Sequence, residues 1–270
     1  MATIFNVLDF GAKGDGINDD THAIQLAINA AFKAGGGEVY LLQGIFIISG
    51  ASADGGCLTL KSNVTLAGAG QNLTTLKLKD GSSGDIDGMV RTSSVHNTDG
   101  AALNRLTLDG NQANTDGTVN GFVTGADEGS AAHAKDITVS QVTFTNLSGD
   151  GVHALAQTAG LTVQDSLAVD NLGDGFATRF DDKGSASFYD NEAANNDGDG
   201  FDLQYSAYSA DTDRTYLKDL DLNANGHRFE IGLSGNLTNA IDAGSFVFAD
   251  AAAPEVTLLA AARGADHAIG

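Results

Sequence analysis

Apolar residues along this chain occur in short runs, and the segments between them are rich in glycine, asparagine and aspartate. Most runs are short enough for single β-strands and either alternate with polar residues or are apolar throughout. They cover residues 5–11, 39–42, 45–48, 58–60, 64–66, 75–78, 103–108, 137–139, 142–144, 161–163, 186–188 and 216–220. Short strands separated by turns, with no helical pattern after residue 33, favour a parallel β-helix over a β-sandwich.

Four segments in the second half of the chain repeat one short sequence motif, which consists of a turn followed by an apolar anchor residue. The segments are 148–153, 172–177, 197–202 and 225–230, and the anchors Val152, Phe176, Phe201 and Phe229 lie 24, 25 and 28 residues apart. A repeat of this length predicts a solenoid, because one unit cannot bury its apolar face without its neighbours. Equivalent positions then form columns across the rungs, and function has to be sought along those columns.

One amphipathic helix is predicted near the N-terminus, ending at Lys33, with Asp19 or Asp20 as its N-cap. Its apolar stripe follows helical spacing at Ile24, Ala27, Ile28 and Ala31. A helix ahead of a solenoid is expected to cover the open apolar end of the first rung. The predicted fold is therefore an all-β, right-handed parallel β-helix with an N-terminal capping α-helix.

The sequence predicts a single domain covering residues 1–270. Residues 1–37 form the first strand and the capping helix, 38–235 the rungs, and 236–270 an irregular C-terminal rung or cap. Residues 110–130 contain few apolar positions and are predicted to form a long loop. Residues 240–262 are expected to fold back over the last rung and bury Phe246, Phe248 and Leu258 or Leu259.

The chain is strongly acidic, with 35 acidic against 14 basic residues and a net charge of −21. This charge argues against nucleic acid and anionic membranes as partners, since both require basic patches. A bound calcium ion would relieve the self-repulsion, and Asp197, Asp199 and Asp202 are the candidate ligands because they form the densest acidic cluster of the repeats. The sequence leaves the oligomeric state open.

Two observations bear on membrane association, export and disulfide bonding. No apolar run is long enough to span a membrane, and the N-terminus lacks the pattern of a signal peptide, so export would need another signal. The single cysteine, Cys57, excludes an internal disulfide and is expected to be buried as a small apolar side chain.

Candidate functional residues lie beside the anchors of the repeats. Strand alternation sends His153, Arg179 and Asp202 to one face, with Asp150 and Tyr205 nearby. Such groups can bind sugar hydroxyls or perform acid–base chemistry near neutral pH, and ordinary solvated surface charge is the alternative interpretation. The asparagines of the turns are expected to stack on one another as structural elements; they are Asn195, Asn196, Asn223 and Asn225.

Several ordered motifs carry a family resemblance. Residues 5–24 resemble the opening of the pectate-lyase-like β-helix superfamily, and residues 56–70, 88–91 and 106–111 resemble the catalytic A-module of the secreted, calcium-dependent mannuronan C5-epimerases of alginate-producing bacteria. The resemblance covers roughly residues 5–203. It implies a right-handed parallel β-helix, an extracellular bacterial setting and alginate as the polysaccharide partner.

The predicted active centre departs from that family. The resemblance implies a Tyr-Gly-Phe-Asp-Pro-His motif, whose tyrosine, aspartate and histidine positions are Asp150, His153 and Leu155 in this chain. A further family aspartate corresponds to Arg179 or, after a shift of two residues, to Asp181. The candidates for catalysis are therefore His153, Asp150, Arg179 and Asp181, and the candidates for substrate binding are Arg91, Asn120, Asp202 and Tyr205.

Three functions remain open at this point. The first is an epimerase-like module that binds or acts on alginate with lost or much reduced activity, since losing one acid–base group costs about 10²–10⁴-fold in rate. The second is an active epimerase or β-eliminating lyase in which His153 is the base and Arg179 neutralises the uronate carboxylate. The third is a structural assembly unit built on a β-helix.

Overall fold

The computed structural model describes residues 3–50, 52, 54–180, 184–205, 216–217, 229–234, 256–260 and 265–269. These residues contain the helix α1 (Thr21–Lys33), 3-10 helices at Val7–Phe10 and Gln112–Asn114, and 25 strands. The strands are β1 (Ile4–Asn6), β2 (Asp15–Asp19), β3 (Gly37–Tyr40), β4 (Gly44–Ile48), β5 (Gly56–Leu60), β6 (Val64–Ala67), β7 (Thr74–Leu78), β8 (Gly88–Thr92), β9 (Thr98–Asp99), β10 (Ala102–Asp109), β11 (Phe122–Thr124), β12 (Ala134–Lys135), β13 (Thr138–Thr145), β14 (Val152–Ala154), β15 (Thr158–Ala159), β16 (Leu161–Gln164), β17 (Leu167–Val169), β18 (Phe176–Phe180), β19 (Ala186–Tyr189), β20 (Glu192–Ala194), β21 (Phe201–Tyr205), β22 (Tyr216–Leu217), β23 (Phe229–Ser234), β24 (Val256–Ala260) and β25 (Ala265–Ile269).

The described strands form three sheets of thirteen, nine and three strands. We call the nine-stranded sheet the site sheet; it contains β5, β8, β11, β14, β18, β21, β23, β24 and β25. Pairing is parallel in all three sheets except between β24 and β25. The chain passes repeatedly from the thirteen-stranded sheet to the site sheet and back, so that each pass adds one rung. The prediction of stacked, parallel, short strands is confirmed.

The register of the site sheet agrees with the predicted repeat at three of its four anchors. Val152 pairs with Phe176 and Phe176 with Phe201, but Phe201 pairs with Ile231 rather than with Phe229. The fourth alignment is therefore wrong by two residues. A shift of two keeps the same side chains on the same face of a strand, so the apolar pattern alone cannot separate the two registers.

The predicted first strand, residues 5–11, is mostly not a strand. Only Ile4–Asn6 pairs with β3, and the chain then turns through the 3-10 helix Val7–Phe10. The side chain of Asn6 accepts a hydrogen bond from Leu8 N, and Gly11 ends the turn with a φ of 100°. Local hydrogen bonding by an asparagine thus competes successfully with strand pairing.

Helix α1 buries its predicted apolar stripe. Ile24, Ala27, Ile28 and Ala31 are fully buried, and the helix packs against β3 and β5. Asp19 accepts a hydrogen bond from Thr21 N, whereas the buried carboxylate of Asp20 accepts from Lys13 N and Gly14 N instead of capping the helix. None of the described helices has the length and apolarity needed to cross a membrane.

The segment 110–130 is not one long loop. It contains β11, which lies between β8 and β14 in the site sheet and is fully buried. Gly121 and Gly125 bound this strand, and its three residues are too few to give a periodic signal. The prediction of a long loop is therefore wrong at the position that matters most for the site.

The turns between rungs use asparagine and aspartate as predicted from composition. Asn111, Asn146, Asp170 and Asn195 end successive strands with φ values between 53° and 58°, in the left-handed region that these side chains tolerate. Asn171 and Asn196 stack as expected for neighbouring rungs, because Asn171 Nδ2 donates to Asn196 Oδ1 at 2.9 Å. Asn223 and Asn225 lie outside the described residues.

The core between the sheets is apolar and includes an aromatic stack. Phe176 lies 4.9 Å from Phe201 between ring centroids, nearly parallel to it, and makes edge contacts to Phe144 and Phe188. At the C-terminal side, Val256–Ala260 continues the site sheet in parallel with β23. Residues 240–255, including Phe246 and Phe248, lie outside the described residues, so the expected C-terminal cover stays a prediction.

Candidate functional site

The outer face of the site sheet carries one row of residues that crosses five rungs. The strand register places Arg91, Val123, His153, Ala177 and Asp202 side by side in β8, β11, β14, β18 and β21. Their sequence neighbours point into the core on the opposite face, as alternation requires; these are Val90, Phe122, Val152, Phe176 and Phe201. The row therefore faces away from the core.

A ladder of polar side chains runs beside this row, just before each strand begins. We call Asn120, Asp150, Asp174 and Asp199 the acidic ladder. Asp150 N donates to Asn120 Oδ1 at 2.7 Å, Asp174 N to Asp150 Oδ1 at 2.8 Å, and Asp199 N to Asp174 Oδ1 at 2.8 Å. The side chains of Asn120, Asp150 and Asp174 thus each accept from a backbone amide of the next rung, which gives these residues a structural role.

The first glycine of each Gly-Asp-Gly turn makes room for this ladder. A Cβ at Gly149 would overlap Asn120 Oδ1, and one at Gly173 would lie 2.5 Å from Asp150 Oδ1. The carboxylate of one rung therefore occupies the space that a side chain on the next rung would need. This explains why glycine precedes aspartate in the repeat.

His153 and Asp150 form the most defined pair of ionisable groups on this face. His153 Nδ1 lies 2.6 Å from Asp150 Oδ2, and the imidazole keeps 20% of its surface exposed. A carboxylate only accepts hydrogen bonds, so the imidazole donates through Nδ1 and Nε2 is left to accept a proton. Because Asp150 Oδ1 is held by Asp174 N, the ladder fixes the orientation of the pair.

Arg179 forms the second pair, one rung further along. Its Nη2 lies 2.7 Å from Asp202 Oδ2 and 3.5 Å from Asp174 Oδ2. Its Nη1 donates to the carbonyl oxygen atoms of Thr178 and Asp202. The guanidinium is therefore held between two carboxylates and the backbone.

The carboxyl of Asp174 is unusual in this group. Its burial raises its pKa from 3.8 to about 6, and the negative charge of Asp150 acts in the same direction. Arg179 is close enough to oppose this shift, but its Nη2 is already paired with Asp202. Part of the Asp174 population is thus protonated at mildly acidic pH.

This raised pKa predicts a pH-dependent stability. The folded Asp174 binds its proton more tightly than the unfolded one, so its ionisation costs stability above about pH 6, and the cost shrinks as the pH falls towards 3.8. Asp174→Asn keeps the Oδ1 acceptor and cannot ionise. We expect this variant to gain unfolding free energy over the wild type at about pH 8 and to gain less at about pH 5.

Urea unfolding at both pH values measures this difference. If Asp174→Asn gained the same unfolding free energy at the two pH values, the raised pKa assigned to Asp174 would be contradicted.

Arg91, a predicted substrate contact, lies in the outer row but is buried there. The residue is 2% exposed, and its guanidinium donates to the carbonyl oxygen atoms of Asp54, Thr92 and Gly125 and pairs with Asp87. Burial lowers its pKa from the ordinary value. Its donors are used within the protein, where they hold three segments together, and its expected role in substrate binding stays a prediction.

The other candidate residues are distributed as follows. Asn120 serves the acidic ladder and donates through Nδ2 to the carbonyl oxygen of Asp87. Tyr205 lies opposite Phe180 at the end of β21, and its side chain lies outside the described part of the chain, as does the whole of Asp181. Asp174 is the residue of the site that the sequence-based candidates omit; its place in the Gly-Asp-Gly repeat was the signal for it.

The acidic cluster differs in one member from the predicted one. Ligand atoms of Asp174, Asp199 and Asp202 lie within 4.8 Å of one another, whereas Asp197 is exposed and does not belong to the group. The donor set suits calcium in kind, since the ion prefers carboxylate oxygens. Its arrangement does not fit, because the guanidinium of Arg179 lies 2.7 Å from Asp202 Oδ2 and 3.5 Å from Asp174 Oδ2, where its positive charge would repel a cation.

A cleft of about 550 Å³ lies elsewhere, between the polar face of α1 and β5. Thr59 in this cleft is three strand pairings from His153, so the cleft is separate from the ionisable pairs. Cys57 lines it, and burial raises the pKa of the thiol to about 12. The thiol is therefore a poor nucleophile, in agreement with its expected role as a small apolar side chain.

Comparison with known proteins gives one family and several relatives. Residues 4–218 match the family described as rhamnogalacturonase A/epimerase, pectate lyase-like. Mannuronan C5-epimerase AlgE5 of Azotobacter vinelandii is 45% identical over 200 residues, which are 74% of this chain and 20% of that protein. Alginate lyase 7 of the same organism is 43% identical over 205 residues, which are 76% of this chain and 24% of that protein.

Comparison with solved structures also identifies an epimerase domain as similar. The A-module of mannuronan C5-epimerase AlgE4 of Azotobacter vinelandii matches with a TM-score of 0.71 and 38% identity, covering 86% of this chain and 64% of that chain. The resemblance to epimerase A-modules is confirmed. The chain spans 20–24% of the length of the two curated relatives named above.

Proposed function

Since the chain belongs to the pectate-lyase-like family of rhamnogalacturonase A and epimerase domains, we propose that it binds an alginate-type polyuronate on the site sheet and has little or no mannuronan C5-epimerase activity. The polymer is inferred from the names of the relatives, which are mannuronan C5-epimerases and an alginate lyase. A polymer of this kind would meet the protein outside the cell, and an extracellular, bacterial setting is part of the proposal.

The ion pair between Arg179 and Asp202 carries the proposal of reduced activity. Epimerisation at C5 requires a group that neutralises the uronate carboxylate and an acid and a base on opposite faces of the sugar. Arg179 is the candidate for neutralisation, and its Nη2 is engaged by Asp202 at 2.7 Å. The surrounding acidic ladder adds negative charge where a negatively charged sugar would bind.

A β-eliminating lyase is the second candidate function, and the His153–Asp150 pair supports it. In elimination, one base removes the C5 proton, the electron pair forms a C4–C5 double bond, and the C4–O bond breaks. His153 Nε2, oriented through Nδ1 by Asp150, can accept that proton. The leaving oxygen then takes a proton from water. The 43% identity to an alginate lyase favours this candidate over an assembly unit.

Both functions are tested by incubating the pure protein with polymannuronate in the presence of calcium. We expect binding, an unchanged ratio of guluronate to mannuronate in the proton NMR spectrum, and no near-ultraviolet absorbance from an unsaturated product. Clear conversion in the NMR spectrum would overturn the proposal of lost epimerase activity. Growing absorbance that His153→Ala reduces about 10²-fold or more would establish the lyase instead.

Calcium is a separate prediction that rests on the net charge of −21. We expect the melting temperature to be higher in calcium than in EDTA, because a bound cation relieves self-repulsion in the compact state. Since Arg179 obstructs the cluster of Asp174, Asp199 and Asp202, no catalytic step is assigned to the ion. Equal melting temperatures in a thermal-shift measurement with and without EDTA would rule out the prediction.

The finer features of the fold belong to the same proposal. The parallel crossovers between sheets are expected to be right-handed, as nearly all such connections are. The buried face of α1 supports its role as a cap on the first rung.

A further inference from the structure

We propose that Asp202 is a specificity-determining residue that competes with the polysaccharide for Arg179, so that a uronate carboxylate binds only when the Arg179–Asp202 ion pair opens. This inference rests on the proposed binding of a polyuronate. It assigns Asp202 the opposite role from the direct sugar contact that the sequence predicts.

The first argument is the scarcity of cations on this face. Among the described strands of the site sheet, Arg91 and Arg179 are the only lysine or arginine residues. Arg91 is 2% exposed, and its N–H groups donate to acceptors inside the protein. The side chain of Arg179, in contrast, is 32% exposed. Arg179 is therefore the permanent cation that a polyanion lying on these strands can reach.

The second argument is the geometry of the pair. Asp202 makes two contacts with the Arg179 guanidinium. Its Oδ2 lies 2.7 Å from Arg179 Nη2, and its backbone carbonyl oxygen accepts from Arg179 Nη1 at 3.3 Å. A guanidinium binds a carboxylate best with two parallel N–H groups. An incoming uronate needs the Nη2 donor that Asp202 occupies, and the two carboxylates compete for one position.

The third argument is the local charge. Carboxylate oxygens of Asp174, Asp199 and Asp202 lie within 4.8 Å of one another, and Asp174 Oδ2 lies 3.5 Å from Arg179 Nη2. The side chain of Asp202 is 11% exposed and faces this group. Removing its charge frees the guanidinium and lowers the repulsion felt by a polyanion.

The test compares four proteins by titration calorimetry with oligomannuronate at low ionic strength: the wild type, Asp202→Asn, Asp190→Asn and the double variant Asp202→Asn, Arg179→Ala. Asp190 is the matched control, since it is exposed on the thirteen-stranded side, has a φ of 50° that asparagine also tolerates, and loses the same charge. We expect Asp202→Asn to bind about fivefold more tightly than the wild type. Asp190→Asn should match the wild type, and the double variant should lose the gain.

The alternative outcomes separate the inference from the proposed function. Weaker binding by Asp202→Asn would show that Asp202 contacts the sugar directly, and equal binding would show that it does not compete; either overturns the inference while polyuronate binding stands. No binding by any variant overturns both.

A measurement on the unaltered chain covers the case in which Asp202→Asn fails to fold. The Arg179 Nε–Hε resonance of the wild type, identified by its loss in Arg179→Lys, should shift when oligomannuronate is added. An unchanged resonance at a ligand concentration that shows heat of binding would overturn the inference.

Discussion

Replacing Phe176 by alanine should lower the free energy of unfolding by about 3–5 kcal/mol. The ring is fully buried and contacts Phe201, Phe144 and Phe188, so its removal leaves a cavity shared by three rungs. In a solenoid each rung is stabilised by its two neighbours, and a defect at one rung weakens both interfaces. Urea unfolding followed by circular dichroism measures the loss.

The matched control for this variant is Leu172→Ala, a few residues away. Leu172 is 51% exposed, so its truncation should cost less than about 1 kcal/mol. Similar losses in the two variants would contradict the assignment of Phe176 to the centre of the core.

Replacing Gly173 by alanine should destabilise the protein by about 1–3 kcal/mol or more and disturb the site. The new Cβ would lie 2.5 Å from Asp150 Oδ1 and 2.7 Å from the carbonyl oxygen of Gly149. A backbone atom cannot move aside as a flexible side chain can, so the rungs must separate locally. Asp150 then loses its fixed position, and His153 loses the partner that orients it.

Two measurements check the Gly173→Ala prediction. The melting temperature should fall by several degrees, and the NMR resonances of the His153 ring should shift because its contact with Asp150 changes. Gly70→Ala serves as the control, because the nearest atom to its Cβ is Leu73 Cδ1 at 3.4 Å, an ordinary contact. A Gly173→Ala protein with the stability and the His153 resonances of the control would refute the account of the turn.

The repeat allowed the fold to be predicted because each rung must bury an apolar anchor at the same position. Val152, Phe176 and Phe201 are buried anchors in register, and the intervals between them were readable from the sequence. The same logic failed for Phe229, where a shift of two residues preserves the apolar pattern. Period-two alternation fixes the face of a side chain and leaves its register open.

The candidate site was predictable in its members and less so in their roles. His153, Arg179 and Asp202 lie on the outer face as expected, but the sequence could not show that Arg179 is engaged by Asp202 or that Arg91 is buried. Those facts depend on side-chain conformations and on contacts with residues distant in sequence, such as Asp54 and Gly125, which no periodic pattern encodes. Asp174 was overlooked because burial, which raises its pKa, appears only in the folded chain.

The acidic ladder has a consequence for how such a surface can lengthen or shorten. Asp150 and Asp174 each accept from the amide of the following rung, and a glycine of that rung leaves room for the carboxylate. A rung carrying Gly-Asp-Gly and an aromatic anchor thus repeats the same contacts with its neighbours, and inserting one would extend the row by about 4.8 Å while leaving the others unchanged. The acidic ladder therefore has one fixed spacing from rung to rung, as would suit the polymer that we propose as the ligand.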